Sequence, residues 1–265
     1  MMIQAHFGLT KLPFSEKDPQ LLEQQQKILD MILIHAQQGG FCLILGEAGT
    51  GKSLIKEKLI QYDPKQVFTP VVNRTLHTYH NTLRILCEAF DVESSTRDSV
   101  CERALVDEAF KLHRSGKQIV PIIDDAHLMP SDSLRKLRLL CEDFPRSHNL
   151  VLIGQPALLH TLSLSINQDV KNRITYSEEL KKLIPDDIES FVRQQLETSG
   201  LGSHVFTPEA ISLIARSSDG FLRTARNLSL NALVEAVRDQ KRNVDIQHVN
   251  NALRQPHWRS DYDYR

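Results

Sequence analysis

The sequence predicts an α/β fold: a parallel sheet of five strands flanked by helices, followed by a helical lid. Three observations lead there. Apolar runs at 41–45, 67–72, 119–123 and 150–153 are short, rich in Val, Ile and Leu, and continuous instead of alternating, as strands covered on both faces require. Helical patterns separate these runs. Directly after the first run, residues 46–53 read Gly-Glu-Ala-Gly-Thr-Gly-Lys-Ser, a complete G-x-x-x-x-G-K-[ST] loop at a strand-to-helix boundary.

Taken in order, Phe41–Leu45 is the strand that delivers this loop, and Leu54–Tyr62 is the helix that leaves it. Helical spacing follows in Leu83, Ile85, Leu86, Ala89 and Phe90, then in Ala104, Leu105, Ala109, Phe110 and Leu112, then in Leu134, Leu137, Leu140, Cys141 and Phe144. A fifth strand is expected at Ile174–Leu180, although Ser177, Glu178 and Glu179 interrupt its apolar character. Pro121 lies inside the third run and should disturb it, since proline gives no N–H to a ladder. The alternation implies right-handed crossovers and a site at the carboxyl ends of the strands.

From Pro185 the strand signal ends. Asp186 and Glu189 read as a capping box opening a helix to about Thr198, which Ser199-Gly200 closes. Thr207-Pro208 starts a second helix, Phe221–Val237 is a third, and Asp245 caps a fourth through Leu253. The expected organisation is a core over 1–184, a lid over 185–256 hinged near Lys182–Pro185, and a tail over 257–265. No internal repeat or low-complexity segment is present.

The loop carries the clearest chemistry. Gly46, Gly49 and Gly51 allow the backbone to approach phosphates closely, and the N–H groups of Glu47, Ala48 and Thr50 complete the cradle. Lys52 places an ammonium between β- and γ-phosphates, and the Ser53 hydroxyl is a Mg²⁺ ligand. A nucleoside triphosphate is the ligand expected at this loop. Ile119-Val-Pro-Ile-Ile-Asp124-Asp125 is an apolar strand ending in two carboxylates. Asp124 suits Mg²⁺, a hard ion that prefers oxygen ligands and keeps its waters, and Asp125 stands where a general base orients water. Gln155, after Leu150–Gly154, can reach the γ-phosphate or that water from the neighbouring strand. Arg173 precedes the fifth strand, where an arginine can serve an adjacent subunit's γ-phosphate. Arg223 and Arg226 lie three residues apart, on one helix face, and Arg223 is placed to report nucleotide to the lid.

Bulk properties set the bounds. The chain has 265 residues, 41% hydrophobic and 25% charged, with net charge −1, ordinary values for a globular protein. Overall charge therefore says nothing about nucleic acid. Met-Met-Ile-Gln-Ala-His lacks the order of a signal peptide, and no apolar run approaches the ~20 residues of a membrane span, so a cytoplasmic location away from membranes is expected. Cys42, Cys87, Cys101 and Cys141 show no C-x-x-C spacing and read as buried free thiols. His77 and His80 are the closest histidine pair, and no second ligand pair accompanies them.

With these pieces assembled, the chain resembles the AAA+ ATPases, and within them the ExeA-like group. The resemblance rests on His6-Phe-Gly-Leu9 with Leu12-Pro-Phe14, on Gly46–Ser53 and Ile122–Leu128 as Walker motifs, on Gly154-Gln-Pro156 as sensor 1, on Asn172-Arg-Ile174 as the arginine element, and on Gly220–Arg223 as sensor 2. Two positions depart from the pattern: Asp125 replaces the Walker B glutamate, and Leu222 replaces a sensor-2 proline. A catalytic group misplaced by ~1 Å can cost about 10²-fold, so slow hydrolysis, suited to a timer or switch, is implied. ExeA-type secretion ATPases continue into a membrane span and a peptidoglycan-binding region. This chain ends soon after the lid, as do the transposition ATPases of the TnsC, TniB and MuB kind.

That resemblance implies an ATP-dependent regulator of transposition. It would form a homo-oligomeric ring or helical filament on double-stranded DNA, with nucleotide at subunit interfaces, and recruit a transposase or targeting protein. The alternatives are an ExeA-type secretion or envelope-assembly ATPase with protein partners, and a helicase-loader or replication-initiation ATPase. Local charge bears on the choice: residues 216–242 hold six basic against three acidic side chains. Arg74, His77 and Lys136 are the expected phosphate-backbone contacts.

Overall fold

The computed structural model describes residues 2–9, 13–14, 20–73 and 78–258. In chain order the helices and strands are α1 Met2–Phe7, α2 Glu23–Gln38, β1 Gly40–Gly46, α3 Lys52–Gln61, β2 Val67–Phe68, β3 Val71–Val72, α4 Tyr79–Ala89, α5 Asp98–Arg114, β4 Gln118–Ile119 and β5 Ile122–Ile123. There follow α6 Ser131–Glu142, β6 Asn149–Gly154, α7 Ala157–Ser163, α8 Gln168–Lys171, β7 Ile174–Leu180, α9 Pro185–Thr198, α10 Pro208–Ser217, α11 Leu222–Arg238 and α12 Ile246–Leu253. Two compact units form. One holds 21–47 and 52–180; the other holds 1–20, 48–51 and 181–265.

The first unit is built on a five-stranded sheet in the order β3-β5-β6-β1-β7, with every neighbouring pair parallel. Successive residues face opposite sides of a strand, and the sequence uses this to make two cores. Phe41, Leu43, Leu45, Leu150, Leu152 and Ile123 pack with Leu83, Leu86, Leu105, Leu134 and Leu137 from α4, α5 and α6. Cys42, Ile44, Val151, Ile153 and Ile122 pack on the other face with Ile28 and Ile32 of α2 and Ile55 and Leu59 of α3. The result is helix, sheet, helix, which explains the continuous apolar runs.

Proline breaks two expected strands. The 67–72 and 119–123 runs each divide, so that β2 and β4 form a separate two-stranded piece. The chain path nevertheless continues: the N–H groups of Gln118, Val120, Ile122 and Asp124 donate to the carbonyls of Gln66, Phe68, Pro70 and Val72. Pro121 has no N–H to give, yet its carbonyl still accepts from Val151 at 2.8 Å. The irregularity expected at Pro121 is present, and Pro70 supplies its counterpart on the neighbouring strand.

The four free cysteines are all buried. Desolvation pushes Cys42 up to about 11 and Cys87 and Cys141 up to about 12, so these thiols stay protonated and inert.

In the second unit four helices, α9 to α12, pack around Ile188, Val192, Leu196, Ile211, Ile214, Ala225, Leu228, Leu233 and Val249. Thr207 caps α10 by accepting from Ala210 N–H, with Pro208 at the first helical position. Asp245 caps α12, accepting from Gln247 N–H at 2.9 Å and His248 N–H at 3.3 Å. The cap expected at Asp186 is corrected. Helix α9 starts two residues earlier than a cap at Asp186 implies, at Pro185, whose fixed φ suits the first turn, and Ile184 is the N-cap. The N-terminal segment groups with these helices, because α1 packs on α11 and His6 Nε2 meets the Lys241 carbonyl at 2.9 Å. Among the described residues no helix is long and apolar enough to cross a membrane.

Candidate nucleotide site

Strand order decides which side chains meet. β1 ends in Gly46, β5 runs into Asp124, and β6, which lies between these two strands, ends one residue before Gln155. Because all three strands are parallel, the loop, both aspartates and Gln155 come to one edge of the sheet, the carboxyl edge. The sequence-predicted residues Gly46, Lys52, Ser53, Asp124, Asp125 and Gln155 are brought together there.

The loop itself is curled. Gly49 and Gly51 take φ of 93° and 104°, a region closed to most side chains. Lys52 Nζ donates to the carbonyls of Gly46 at 2.7 Å and Glu47 at 2.8 Å, so its ammonium ties the two ends of the loop. Ser53, in the first turn of α3, is exposed. Residues 48–51, the loop tip with Ala48 and Thr50, group with the C-terminal helices. There Arg223 N–H donates to the Gly49 carbonyl at 3.3 Å, and a Cβ on Gly49 would stand 3.1 Å from Arg223 Cβ.

The two aspartates differ in environment. Asp124 is nearly buried, with its side chain 16% exposed, and Lys56 Nζ donates to its Oδ2 at 2.6 Å. Its Oδ1 accepts the N–H of Asp125 at 2.9 Å. Asp125 is exposed and has φ 51° and ψ 34°, a left-handed conformation that Asp tolerates better than most residues. Gly154, at the end of β6, is closely packed: a Cβ would stand 3.1 Å from Leu158 Cδ2 and 3.2 Å from His127 N.

Arg173 is elsewhere. It precedes β7, whose Ile174 pairs with Phe41 at the start of β1, while Leu180 pairs with Gly46 at its end. Five residues of strand separate these edges, roughly 17 Å, so Arg173 does not join the loop of its own chain. Its guanidinium pairs with Glu142, which also pairs with Arg138 at 2.7 Å. Of the expected DNA contacts, Arg74 and His77 lie outside the described residues. Lys136 is paired with Asp132 at 2.9 Å and sits 5.6 Å over the Tyr79 ring. In the second unit, Arg223 and Arg226 are exposed near the start of α11.

Sequence reasoning missed Lys56, Glu142 and the Gly49–Arg223 contact. One signal was available for the first: Lys56 follows Lys52 by four residues, one helical turn.

Comparison with known proteins bears on the fold. Residues 34–162 match the family model described as an AAA domain. The general secretion pathway protein A of Aeromonas hydrophila is 30% identical over 250 residues, 89% of this chain and 45% of the relative. The chain thus spans less than half the length of that curated relative. Among solved structures, the Aeropyrum pernix ORC2 protein in ADPNP–ADP complexes superposes with a TM-score of 0.73 at 16% identity, over 95% of this chain and 71% of that one. The Aeropyrum pernix ORC1 protein in complex with DNA gives 0.68 at 20% identity, over 90% and 67%. The fold is that of the AAA+ P-loop proteins, a parallel five-stranded sheet with flanking helices and a helical C-terminal region.

Proposed function

We propose that this chain is an ATP-hydrolysing switch of the ExeA-like AAA+ group, acting on a protein partner in a secretion or envelope-assembly system. One observation carries the chemistry: the strand order brings the end of β1, where the phosphate loop begins, and the Asp124-Asp125 pair after β5 to the same sheet edge, on either side of β6. The partner class follows the curated secretion relative, which is 30% identical over 250 residues.

The residues divide the work. Loop N–H groups and the α3 N-terminus bind the polyphosphate, and Lys52, released from its loop carbonyls, meets the β- and γ-phosphates. Asp125 accepts a hydrogen bond from the attacking water and orients it, and Gln155 holds that water or the γ-phosphate from the adjacent strand. Arg223, whose backbone grips Gly49, relays loop occupancy to α11. The donor set fits Mg²⁺: the Ser53 hydroxyl and Asp124 carboxylate are oxygen ligands, and Lys56 shows that Asp124 already holds a cation. Bound with ATP, the metal supplies charge neutralisation at the phosphate oxygens.

The test is nucleotide binding and hydrolysis by the purified chain, with and without duplex DNA. Hydrolysis that duplex DNA leaves unchanged agrees with the secretion-type reading. Hydrolysis or assembly that requires DNA favours the second reading, a regulator of transposition that oligomerises on DNA and recruits a transposase. The exposed Arg223 and Arg226 face is the observation that keeps this second reading in play. Absence of ATP binding removes both.

A further inference from the structure

Lys56 lies on α3 one turn beyond Lys52. Its Nζ is shared between Asp124 Oδ2 at 2.6 Å and Asn73 Oδ1 at 3.0 Å. With Asp125 N–H on the other oxygen, both oxygens of the candidate metal carboxylate are engaged, one of them by a resident ammonium. The side chains of Lys56 and Asp124 are 15% and 16% exposed. Water and salt screen such a pair far less than a surface pair, so its charge is felt by whatever binds next to it.

We propose that Lys56 is a positioning residue that holds Asp124 as a built-in counter-cation and so sets how strongly nucleotide binding depends on Mg²⁺. The proposal rests on the nucleotide reading above. Without metal, an unpaired Asp124 would repel an incoming polyphosphate; the ammonium cancels that charge and lets nucleotide bind. With metal, Lys56 competes for the same carboxylate and retains Asn73 as its alternative acceptor. On both counts Lys56 narrows the difference between metal-free and metal-loaded binding.

The measurement is the dissociation constant of a fluorescent, non-hydrolysable ATP analogue in excess EDTA divided by that in excess Mg²⁺. In Lys56→Gln this ratio should rise about tenfold over the parent, the scale of one partly buried charge pair. Lys56→Arg, which keeps the charge, should stay within about twofold of the parent. An unchanged or falling ratio in Lys56→Gln overturns the proposal, because a lysine that merely held Asp124 in place for the metal would lower the ratio when removed. Should Lys56→Gln not fold, Asn73→Ala reads the competition from the other side. The ammonium then loses its alternative acceptor, and the ratio must fall below the parent's; a ratio at or above it counts against the proposal. A parent that binds the analogue under neither condition removes the nucleotide reading itself, and this inference with it.

Discussion

Lys52 and Asp125 make the site's chemistry separable at the level of single atoms. Lys52 spans the carbonyls of Gly46 and Glu47, so Lys52→Ala loses both the cation for the phosphates and the tie across the loop. Nucleotide affinity should fall about 10- to 100-fold, the weight of one or more hydrogen bonds to a charged group, as read by anisotropy. Asp125→Asn is a cleaner change, because Asn accepts the left-handed φ of 51° as readily as Asp. Binding should be retained while turnover falls about 10²-fold or more; single-turnover hydrolysis at the parent rate would show that Asp125 is not the base. Gly220 tests backbone fit instead of chemistry. It has φ +77°, and a Cβ there would stand 2.6 Å from the Leu183 carbonyl oxygen and 2.9 Å from the Leu183 nitrogen. Both neighbours are backbone and cannot swing aside. Gly220→Ala should cost more than the ~1 kcal/mol of a mild glycine replacement, and urea unfolding will show it as a lower midpoint.

Elements were legible where one physical demand dominated. Strands β1 and β6 were evident because burial on both faces makes a run continuously apolar, and α10 and α12 because Thr207 and Asp245 serve as caps. Helix α2 was missed: its stripe of Ile28, Leu29, Ile32 and Ala36 is present, but its start carries Leu22 where a polar cap is expected, with Gln25 Oε1 accepting the Leu22 N–H at 3.0 Å. The loop and the Asp-Asp turn were readable as local motifs. The Lys56–Asp124 and Glu142–Arg173 pairs were not, since long-range ion pairs leave no periodic trace. Two predictions belong to this scale. Asp245→Ala removes the acceptor of two N–H groups at the start of α12 and should cost about 1 kcal/mol, measured by thermal unfolding. Just before β6, burial holds the His148 imidazole below its ordinary value, against a smaller upward pull from the Pro145 carbonyl. Its folded value is depressed, so its contribution is complete above the usual histidine range and is lost as pH falls through the folded value. The melting temperature should therefore drop on acidification from pH 7 towards 5, and less steeply in His148→Gln. Parallel curves would assign the acid loss to other groups.

At the scale of the whole molecule, Arg173 poses the question of assembly. The register of β7 against β1 sets it at the amino edge of the sheet, one strand length away from its own phosphate loop, so any role at a γ-phosphate must be played in another subunit. In the single chain it closes an alternating series of charges on α6 and α8. Arg135 and Arg138 face Asp169 at 3.7 and 3.3 Å, Arg138 reaches Glu142, and Glu142 pairs with Arg173. The Arg173 side chain is 57% exposed, and exchanging Glu142 for a partner's phosphate would cost little, since exposed ion pairs contribute at most about 1 kcal/mol. If Arg173 acts across an interface, Arg173→Ala subunits keep an intact loop and lack only the arginine. Lys52→Ala subunits keep the arginine and lack the loop lysine. Each alone should be inactive, and a mixture should recover a fraction of parent turnover, because one of the possible interfaces then joins a sound loop to a sound arginine. The recovered fraction should follow the product of the two mole fractions and peak near an equal mixture, as a pairwise interface requires. Turnover at the parent level by Arg173→Ala alone would take this residue out of the reaction, and a mixture no more active than its components would confine catalysis to the single chain.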